Sequence, residues 1–192
     1  MRELIVFTGP VSGGKSTRAA AAAGRLQRLG FHVVLLRPTR SVRAHEKPGL
    51  LVTKTGTSFP SVEVDTAAEI VDRARGYDAV WIDEPMLFPD EPLVFDAIQT
   101  IRRESTVIVS GLSATSELEP FGESMPKLLA VADEVTSLKG DCDACGAFGT
   151  ATRSVCLKPK TGQVLVGGSD VYEACCPACW RARVESPKAA VT

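Results

Sequence analysis

Apolar runs alternate with helix-forming segments along the first two thirds of the chain. Short apolar runs at residues 3–8 and 31–36 predict buried strands, and the Ala- and Leu-rich segment 17–29 between them predicts a helix that ends before Gly30. A strand, a helix and a second strand in this order form a βαβ unit, which requires a parallel sheet. We therefore predict an α/β fold with a mostly parallel sheet flanked by helices.

The alternation continues to residue 138. Apolar periodicity predicts further helices and strands, namely helices at 66–75, 92–103 and 125–132 and strands at 78–82, 106–110 and 134–138. Residues 37–60 differ, because they are polar and contain prolines, glycines and threonines; we predict that this stretch is irregular and mobile. From Cys142 onward, cysteine, glycine and turn residues dominate, as in a small domain with too few apolar residues to be stable without a cross-link such as a metal ion or a disulfide.

A glycine-rich stretch joins the first predicted strand to the first predicted helix. Its residues are Gly9, Pro10, Val11, Ser12, Gly13, Gly14, Lys15, Ser16 and Thr17. This spacing matches the Walker A pattern, in which backbone N–H groups and a helix N-terminus cradle phosphates. We expect Lys15 to reach the β- and γ-phosphates of ATP and the Ser16 hydroxyl to bind Mg²⁺. The alternative is a glycine-rich turn that binds nothing.

An acidic pair, Asp83 and Glu84, follows the apolar strand predicted at 78–82. In a protein with a phosphate-binding loop, an acid at this position faces the Mg²⁺ ion, which we expect of Asp83. Glu84 would then face the phosphoryl acceptor, where a carboxylate can take a proton from an attacking hydroxyl. The alternative for both is a solvated turn.

Two Cys-x-x-Cys pairs lie 30 residues apart near the end of the chain. Their four thiols, which predict a tetrahedral Zn²⁺ site, belong to Cys142, Cys145, Cys176 and Cys179. Disulfides and duplicated redox motifs are the alternatives. Cys175 could compete as a ligand, but only Cys176 has the two-residue spacing to Cys179. We expect Cys156 to be a free thiol.

Composition narrows the classes of partner. The 192 residues are 44% hydrophobic and carry a net charge of −1, which argues against a large nucleic-acid surface. No run of eighteen apolar residues predicts a membrane span, and the N-terminal segment does not resemble a signal peptide. We therefore expect a cytoplasmic protein with reduced thiols.

Together these motifs resemble type II thymidine kinases, which have a zinc-bound lasso, from about residue 3 to Trp180. The resemblance is carried by the phosphate-binding loop and by several later stretches, namely Ile82-Asp83-Glu84, Phe88-Pro89-Asp90, Pro120-Phe121-Gly122, Ala132-Asp133-Glu134-Val135, Gly167-Gly168 and Tyr172. It implies a P-loop, RecA-like α/β domain at 1–139 and a zinc-binding lasso domain at 140–183. We expect residues 184–192 to form a disordered tail.

The resemblance also implies roles for individual residues. Glu84 would be the base for the nucleoside 5′-hydroxyl, and Arg43 would lie near the phosphates, although it could equally be an exposed loop charge. The loop between the cysteine pairs would close over the nucleoside base. The residues assigned to the nucleoside on this ground are Phe121, Gly167, Gly168 and Tyr172. For Tyr172 the alternative is an aromatic that packs beside the zinc site. The family further implies a homotetramer.

Several positions depart from the family pattern. These are Val11-Ser12 for Met-Phe, Ser41 for aspartate, Met86 for glutamine, Ser116 for an aromatic residue, and Pro177 for arginine. The leading hypothesis is an ATP-dependent thymidine kinase that supplies dTMP for DNA synthesis. The alternatives are a kinase of another or modified deoxypyrimidine nucleoside, a P-loop ATPase whose zinc knuckle binds nucleic acid or protein, and an inactive binding protein.

Overall fold

The computed structural model describes residues 2–42, 46–158, 167 and 170–185. Within them, one sheet is formed by the strands β1 (Leu4–Thr8), β2 (Val33–Pro38), β3 (Leu50–Val52), β4 (Ser58–Val64), β5 (Ala79–Asp83), β6 (Thr106–Gly111) and β7 (Glu134–Ser137). Their order is β3-β4-β2-β5-β6-β1-β7, and the pairs are parallel except for β3 with β4. The predicted α/β fold is confirmed.

Helices cover both faces of this sheet. They are α1 (Lys15–Arg28), α2 (Ala67–Ala74), α3 (Glu91–Ile101) and α4 (Ser124–Val131). Helix α1 buries Ala19, Ala20 and Ala23 against one face, in a cluster that includes Trp81. The other three helices pack on the opposite face, where Ile70, Val94 and Leu128 share a second cluster. The small alanine side chains of α1 bring its N-terminal end close to the strands.

The prediction that residues 37–60 are irregular was wrong for part of this stretch. Strand β3 and the first part of β4 form an antiparallel hairpin in which Leu51 pairs with Phe59. Both side chains are buried, each 5% exposed, and the Phe59 ring meets Trp81 edge-on at 5.4 Å between centroids. The strands are short and their intervening residues are polar, so tertiary packing on Trp81, and not local pattern, stabilises the hairpin.

A second, two-stranded sheet lies after β7. It pairs β8 (Arg153–Cys156) with β9 (Tyr172–Cys175) in antiparallel register, and α5 (Pro177–Glu185) follows. The boundaries at 139 and 183 stay a prediction, and residues 186–192 lie outside the described part of the chain. No helix in the described residues is both long and apolar enough to cross a bilayer.

The parallel strands place their carboxyl ends at one edge of the sheet. Strand β1 leads into the glycine-rich loop, and β5 ends at Asp83, which is in register with Ser110 of the adjacent β6. In open α/β sheets this edge is where ligands bind, since loops from several strands converge there.

Candidate active site

Helix α1 begins at Lys15 directly after the glycine-rich loop. Gly14 precedes it with a φ of 85°, and the first turn has neither a side-chain cap nor an acidic residue. The first N–H groups of the helix therefore have no side-chain partner of their own, which is the arrangement that binds anions. At the other end of the loop, a Cβ on Gly9 would lie 2.5 Å from the Leu138 carbonyl oxygen, so the close packing there requires glycine.

Lys15 is buried, with 6% of the residue exposed. Its ammonium donates a hydrogen bond of 2.8 Å to the carbonyl oxygen of Pro10, so the side chain curls back over the loop. An ammonium group in this buried position favours an anionic ligand such as a phosphate beside it. The loop and its lysine thus form one cationic cradle.

Asp83 is buried at the end of β5 and accepts hydrogen bonds from two hydroxyl groups. Ser16 Oγ donates to Asp83 Oδ1 at 3.3 Å, and Ser110 Oγ donates to the same oxygen. Trp81 Nε1 in turn donates to Ser110 Oγ at 2.7 Å. Burial raises the pKa of the Asp83 carboxyl, while Ser110 and Lys15 oppose the rise. The Ser16 hydroxyl and this carboxylate are the oxygen donors that Mg²⁺ prefers, and they fit such an ion.

Glu84 follows Asp83 in an unusual backbone conformation. Its φ is 53° and its ψ is 52°, in the left-handed region that non-glycine residues rarely adopt, and Pro85 follows it directly. The Glu84 amide donates a hydrogen bond of 2.7 Å to the Ser110 carbonyl, which fixes this turn to β6. Such strain concentrates at functional sites, where it aims a side chain that an extended backbone would direct elsewhere.

One cavity of about 490 Å³ joins these groups. The loop residues from Val11 to Thr17, Asp83 and Glu84 line it, and so do Phe121, Gly167 and Tyr172, which the family resemblance assigns to the nucleoside. A volume of this size suits a small-molecule site. The structure therefore brings the predicted phosphate-binding residues from Val11 to Thr17 and three of the four nucleoside-binding candidates to one space. Gly9 and Pro10 do not line this cavity, and Arg43 and Gly168 lie outside the described residues.

Sequence reasoning missed several polar residues of this site. Arg37, at the end of β2, lines the cavity with 2% of the residue exposed. It donates to Glu46 at 2.9 Å and to Glu63 at 3.2 Å. Ser110, which links Trp81 to Asp83, was also missed. A charge or hydroxyl at the carboxyl end of an otherwise apolar strand was the available signal for both residues.

The four predicted cysteine ligands come together. The sulfur atoms of Cys142, Cys145, Cys176 and Cys179 all lie within 4.8 Å of one another. Tetrahedral coordination by thiolates at about 2.3 Å separates the sulfurs by about 3.8 Å, so this cluster fits a tetrahedral metal ion. The Cys176 amide donates to Cys142 Sγ, and this contact chiefly lowers the pKa of the Cys142 thiol to about 6. A thiolate is therefore favoured there before any metal binds.

Cys175 and Cys156 stand apart from this cluster. Cys175 is fully buried, and burial raises its pKa to about 11, so its thiol stays protonated. Neither residue forms a disulfide, in agreement with the expectation of a free thiol at Cys156. The spacing argument for Cys176 over Cys175 agrees with the geometry.

A family model for thymidine kinase matches residues 2–180 of the chain. The chain belongs to the thymidine kinase family. Thymidine kinase of Mesomycoplasma hyopneumoniae strain 7448 is 34% identical over 91% of this chain and 92% of its own length. Thymidine kinase of Coprothermobacter proteolyticus is 32% identical over 90% of this chain and 87% of its own.

Likeness to solved structures is weaker. The crystal structure of a DNA replication initiation factor aligns with a TM-score of 0.46 and 15% identity, over 73% of this chain and 41% of that one. At this level the likeness supports no argument about function.

The cysteine region of this family member contacts the cavity wall at two places. Ser154 of β8 accepts a hydrogen bond of 2.9 Å from the Val11 amide in the phosphate-binding loop. Trp180 Nε1 of α5 donates a hydrogen bond of 3.1 Å to the carbonyl of Ser116, a residue that lines the cavity. The position of the cysteine cluster is thus tied to the walls of the site.

Proposed function

We propose that the protein transfers the γ-phosphoryl group of ATP to the 5′-hydroxyl of thymidine, which yields dTMP. One observation carries the proposal: a buried lysine on an uncapped helix N-terminus and the Glu84 carboxylate line the same cavity. Membership of the thymidine kinase family, with relatives matched over about nine tenths of their length, supports the choice of reaction.

The residues of the chain divide the reaction between them. The loop amides and Lys15 hold the triphosphate and offset the charge that develops on the transferring phosphoryl group. Glu84 accepts the proton of the 5′-hydroxyl while the hydroxyl oxygen forms a bond to the γ-phosphorus. At the same time the bond between the γ-phosphorus and the bridging oxygen breaks, and ADP leaves. Ser16 and Asp83 would hold Mg²⁺, which supplies charge neutralisation across the β- and γ-phosphates.

The nucleoside would occupy the end of the cavity near Phe121 and Tyr172. Phe121 packs partly against the core. Its amide donates a hydrogen bond of 3.1 Å to the Ser113 carbonyl, which fixes the turn that carries Phe121. Tyr172 is half-buried at the start of β9, in register with Cys156. We assign base contacts to these aromatics and to the backbone near Gly167, and we extend the assignment to Gly168 from the family resemblance.

The cysteine cluster is proposed to hold structural Zn²⁺. Four thiolates are the ligand set that zinc prefers in closed, tetrahedral sites. Arg43 is proposed to approach the phosphates, and the protein is proposed to act in the cytoplasm as a homotetramer, both on the basis of the family resemblance.

The acceptor is tested with purified, zinc-loaded protein, Mg²⁺-ATP and an equimolar panel of nucleosides, with products identified by mass spectrometry. Formation of dTMP with a stoichiometric amount of ADP supports the proposal. Met86, which is 2% exposed and lines the cavity where the family resemblance implies glutamine, makes a modified deoxypyrimidine the second candidate. Phosphorylation of that nucleoside in preference to thymidine would replace the assignment, and DNA-stimulated ATP hydrolysis without nucleotide product would overturn it.

A further inference from the structure

The hairpin between β3 and β4 carries a lysine to the phosphate-binding loop. Lys54 Nζ donates a hydrogen bond of 2.6 Å to the hydroxyl of Ser12, which is separated from it by 42 positions. Ser12 itself has a φ of 64°, so its backbone is in the left-handed region within the loop. Both residues line the cavity of the candidate active site. The ammonium group therefore lies beside the segment of backbone that would surround the phosphates.

The turn that presents Lys54 is ordered by its own hydrogen bonds. The Thr53 amide donates 2.8 Å to the Thr57 carbonyl, and the Gly56 amide donates 2.9 Å to the Thr53 carbonyl. Gly56 has a φ of 82°, a conformation that glycine adopts without strain. Below the turn, the buried packing of the hairpin on Trp81 anchors its base. The hairpin thus directs the lysine toward the loop.

The ammonium of Lys54 has a neutral partner in this arrangement. Among the described residues it forms no ion pair, whereas the Arg37 guanidinium at the same cavity is held by two carboxylates. The bond to Ser12 pairs the ammonium with a neutral acceptor, whereas a phosphate oxygen carries a negative charge and adds a direct charge–charge attraction to the hydrogen bond. Exchange of the Ser12 hydroxyl for a phosphate oxygen is therefore favourable for the ammonium group.

We propose that Lys54 is a phosphate-binding residue, which the β3–β4 hairpin brings across the loop to contact the triphosphate of the nucleotide. This inference rests on the proposed function. The site would then have two lysines of different character: Lys15, buried at the helix start, and Lys54, exposed on the β3–β4 hairpin. Loss of Lys54 should weaken nucleotide binding and leave the nucleoside end unaffected.

The test compares Lys54→Met and Lys54→Arg with the wild type by calorimetric titration with β,γ-methylene ATP and, separately, with thymidine. Lys47→Met is the matched control, because Lys47 is exposed on the same stretch of chain and does not line the cavity. We expect Lys54→Met to raise the Kd for the triphosphate about tenfold, which corresponds to one charge-assisted contact, while arginine retains most of the affinity. The Kd for thymidine should not change.

Three outcomes would overturn the inference. If Lys54→Met binds the triphosphate within twofold of the wild type, the contact has no role, and the proposed function is unaffected. An equal loss of thymidine affinity would mean that the variant perturbs the fold and that Lys54 has a structural role. If the wild type binds thymidine but no triphosphate, the proposed function fails together with the inference.

Discussion

The indole of Trp180 in α5 is hydrogen-bonded to the backbone of Ser116, in the segment between β6 and α4. Trp180 Nε1 donates 3.1 Å to the Ser116 carbonyl, and the guanidinium of Arg153 lies over the indole ring at 5.5 Å from its centroid. Trp180 directly follows Cys179, while Ser116 belongs to the turn that leads to Phe121. The cysteine cluster is therefore coupled through this hydrogen bond to the turn that leads to Phe121, which we propose as a nucleoside contact.

Substitution of Trp180 by phenylalanine keeps the ring under Arg153 but removes the hydrogen bond. A bond of this type contributes about 1 kcal/mol, so the KM for thymidine should rise about fivefold as the Ser116 turn loosens. The KM for ATP should stay near the wild-type value, because this hydrogen bond holds the Ser116 turn and not the glycine-rich loop that carries Lys15. Steady-state kinetics with each substrate varied separately give both values. A matching rise in both constants, or a loss of bound zinc, would refute the coupling.

The substitution Glu84→Gln tests whether Glu84 is the proton acceptor, because glutamine has nearly the same size and shape as glutamate. The amide cannot accept a proton in the reaction, so kcat should fall by about 10²- to 10⁴-fold while nucleotide affinity is retained. The measurement combines single-turnover kinetics with calorimetric titration of ATP. Glu119→Gln is the control, since Glu119 is an exposed carboxylate outside the cavity and its loss should leave turnover unchanged. A Glu84→Gln variant with nearly wild-type kcat would exclude Glu84 as the base.

Adjacent cysteines offer a sharp test of the metal site. Cys176→Ser removes one of the four clustered sulfurs, and we expect it to abolish stoichiometric zinc binding, measured by elemental analysis after dialysis. Cys175→Ala alters the neighbouring thiol, which is buried and lies outside the cluster. It should retain about one zinc per chain and lose only about 1 kcal/mol of stability from the small cavity. The reverse pattern would assign the third ligand to Cys175.

The ion pair between the buried Arg37 and the partly buried Glu63 predicts a pH-dependent stability. Burial of the Glu63 carboxyl tends to raise its pKa, but hydrogen bonds from the Gly49 amide and Ser61, with the charge of Arg37, outweigh burial and lower the pKa below 4.5. A carboxyl whose pKa is depressed on folding stabilises the protein above its unfolded pKa, and this contribution is lost as the pH falls through the folded value.

Urea unfolding of the wild type and Glu63→Gln between pH 7 and 3 measures this contribution. At pH 7 the variant should be less stable by about 2 kcal/mol, which is the worth of a hydrogen bond to a charged group. The difference in unfolding free energy should shrink as the pH falls below 4.5. Metal loss in acid affects both proteins, so the difference isolates Glu63; a constant difference across the range would contradict the assignment.

Short-range sequence patterns predicted the elements whose conformation depends mainly on residues close in sequence. Apolar runs around Val6 and Ile82 are long enough to specify buried strands, and the glycine spacing before Lys15 specifies the loop, so the fold class was confirmed. The β3–β4 hairpin was missed because its strands depend on Trp81, which is distant in sequence. The Arg37 pairs and the Ser154 contact depend on tertiary placement in the same way. Side chains that meet only after folding leave little trace in periodicity.

The hydrogen bond between Ser154 and Val11 has a thermodynamic consequence. Ser154 belongs to the hairpin whose second strand leads directly into Cys176, so the geometry that the sulfurs impose also shapes the loop that would surround the triphosphate. Linkage between two sites is reciprocal. A chelator should then weaken nucleotide affinity, and a nucleotide at saturating concentration should raise the affinity of the cysteine cluster for its ion by the same factor.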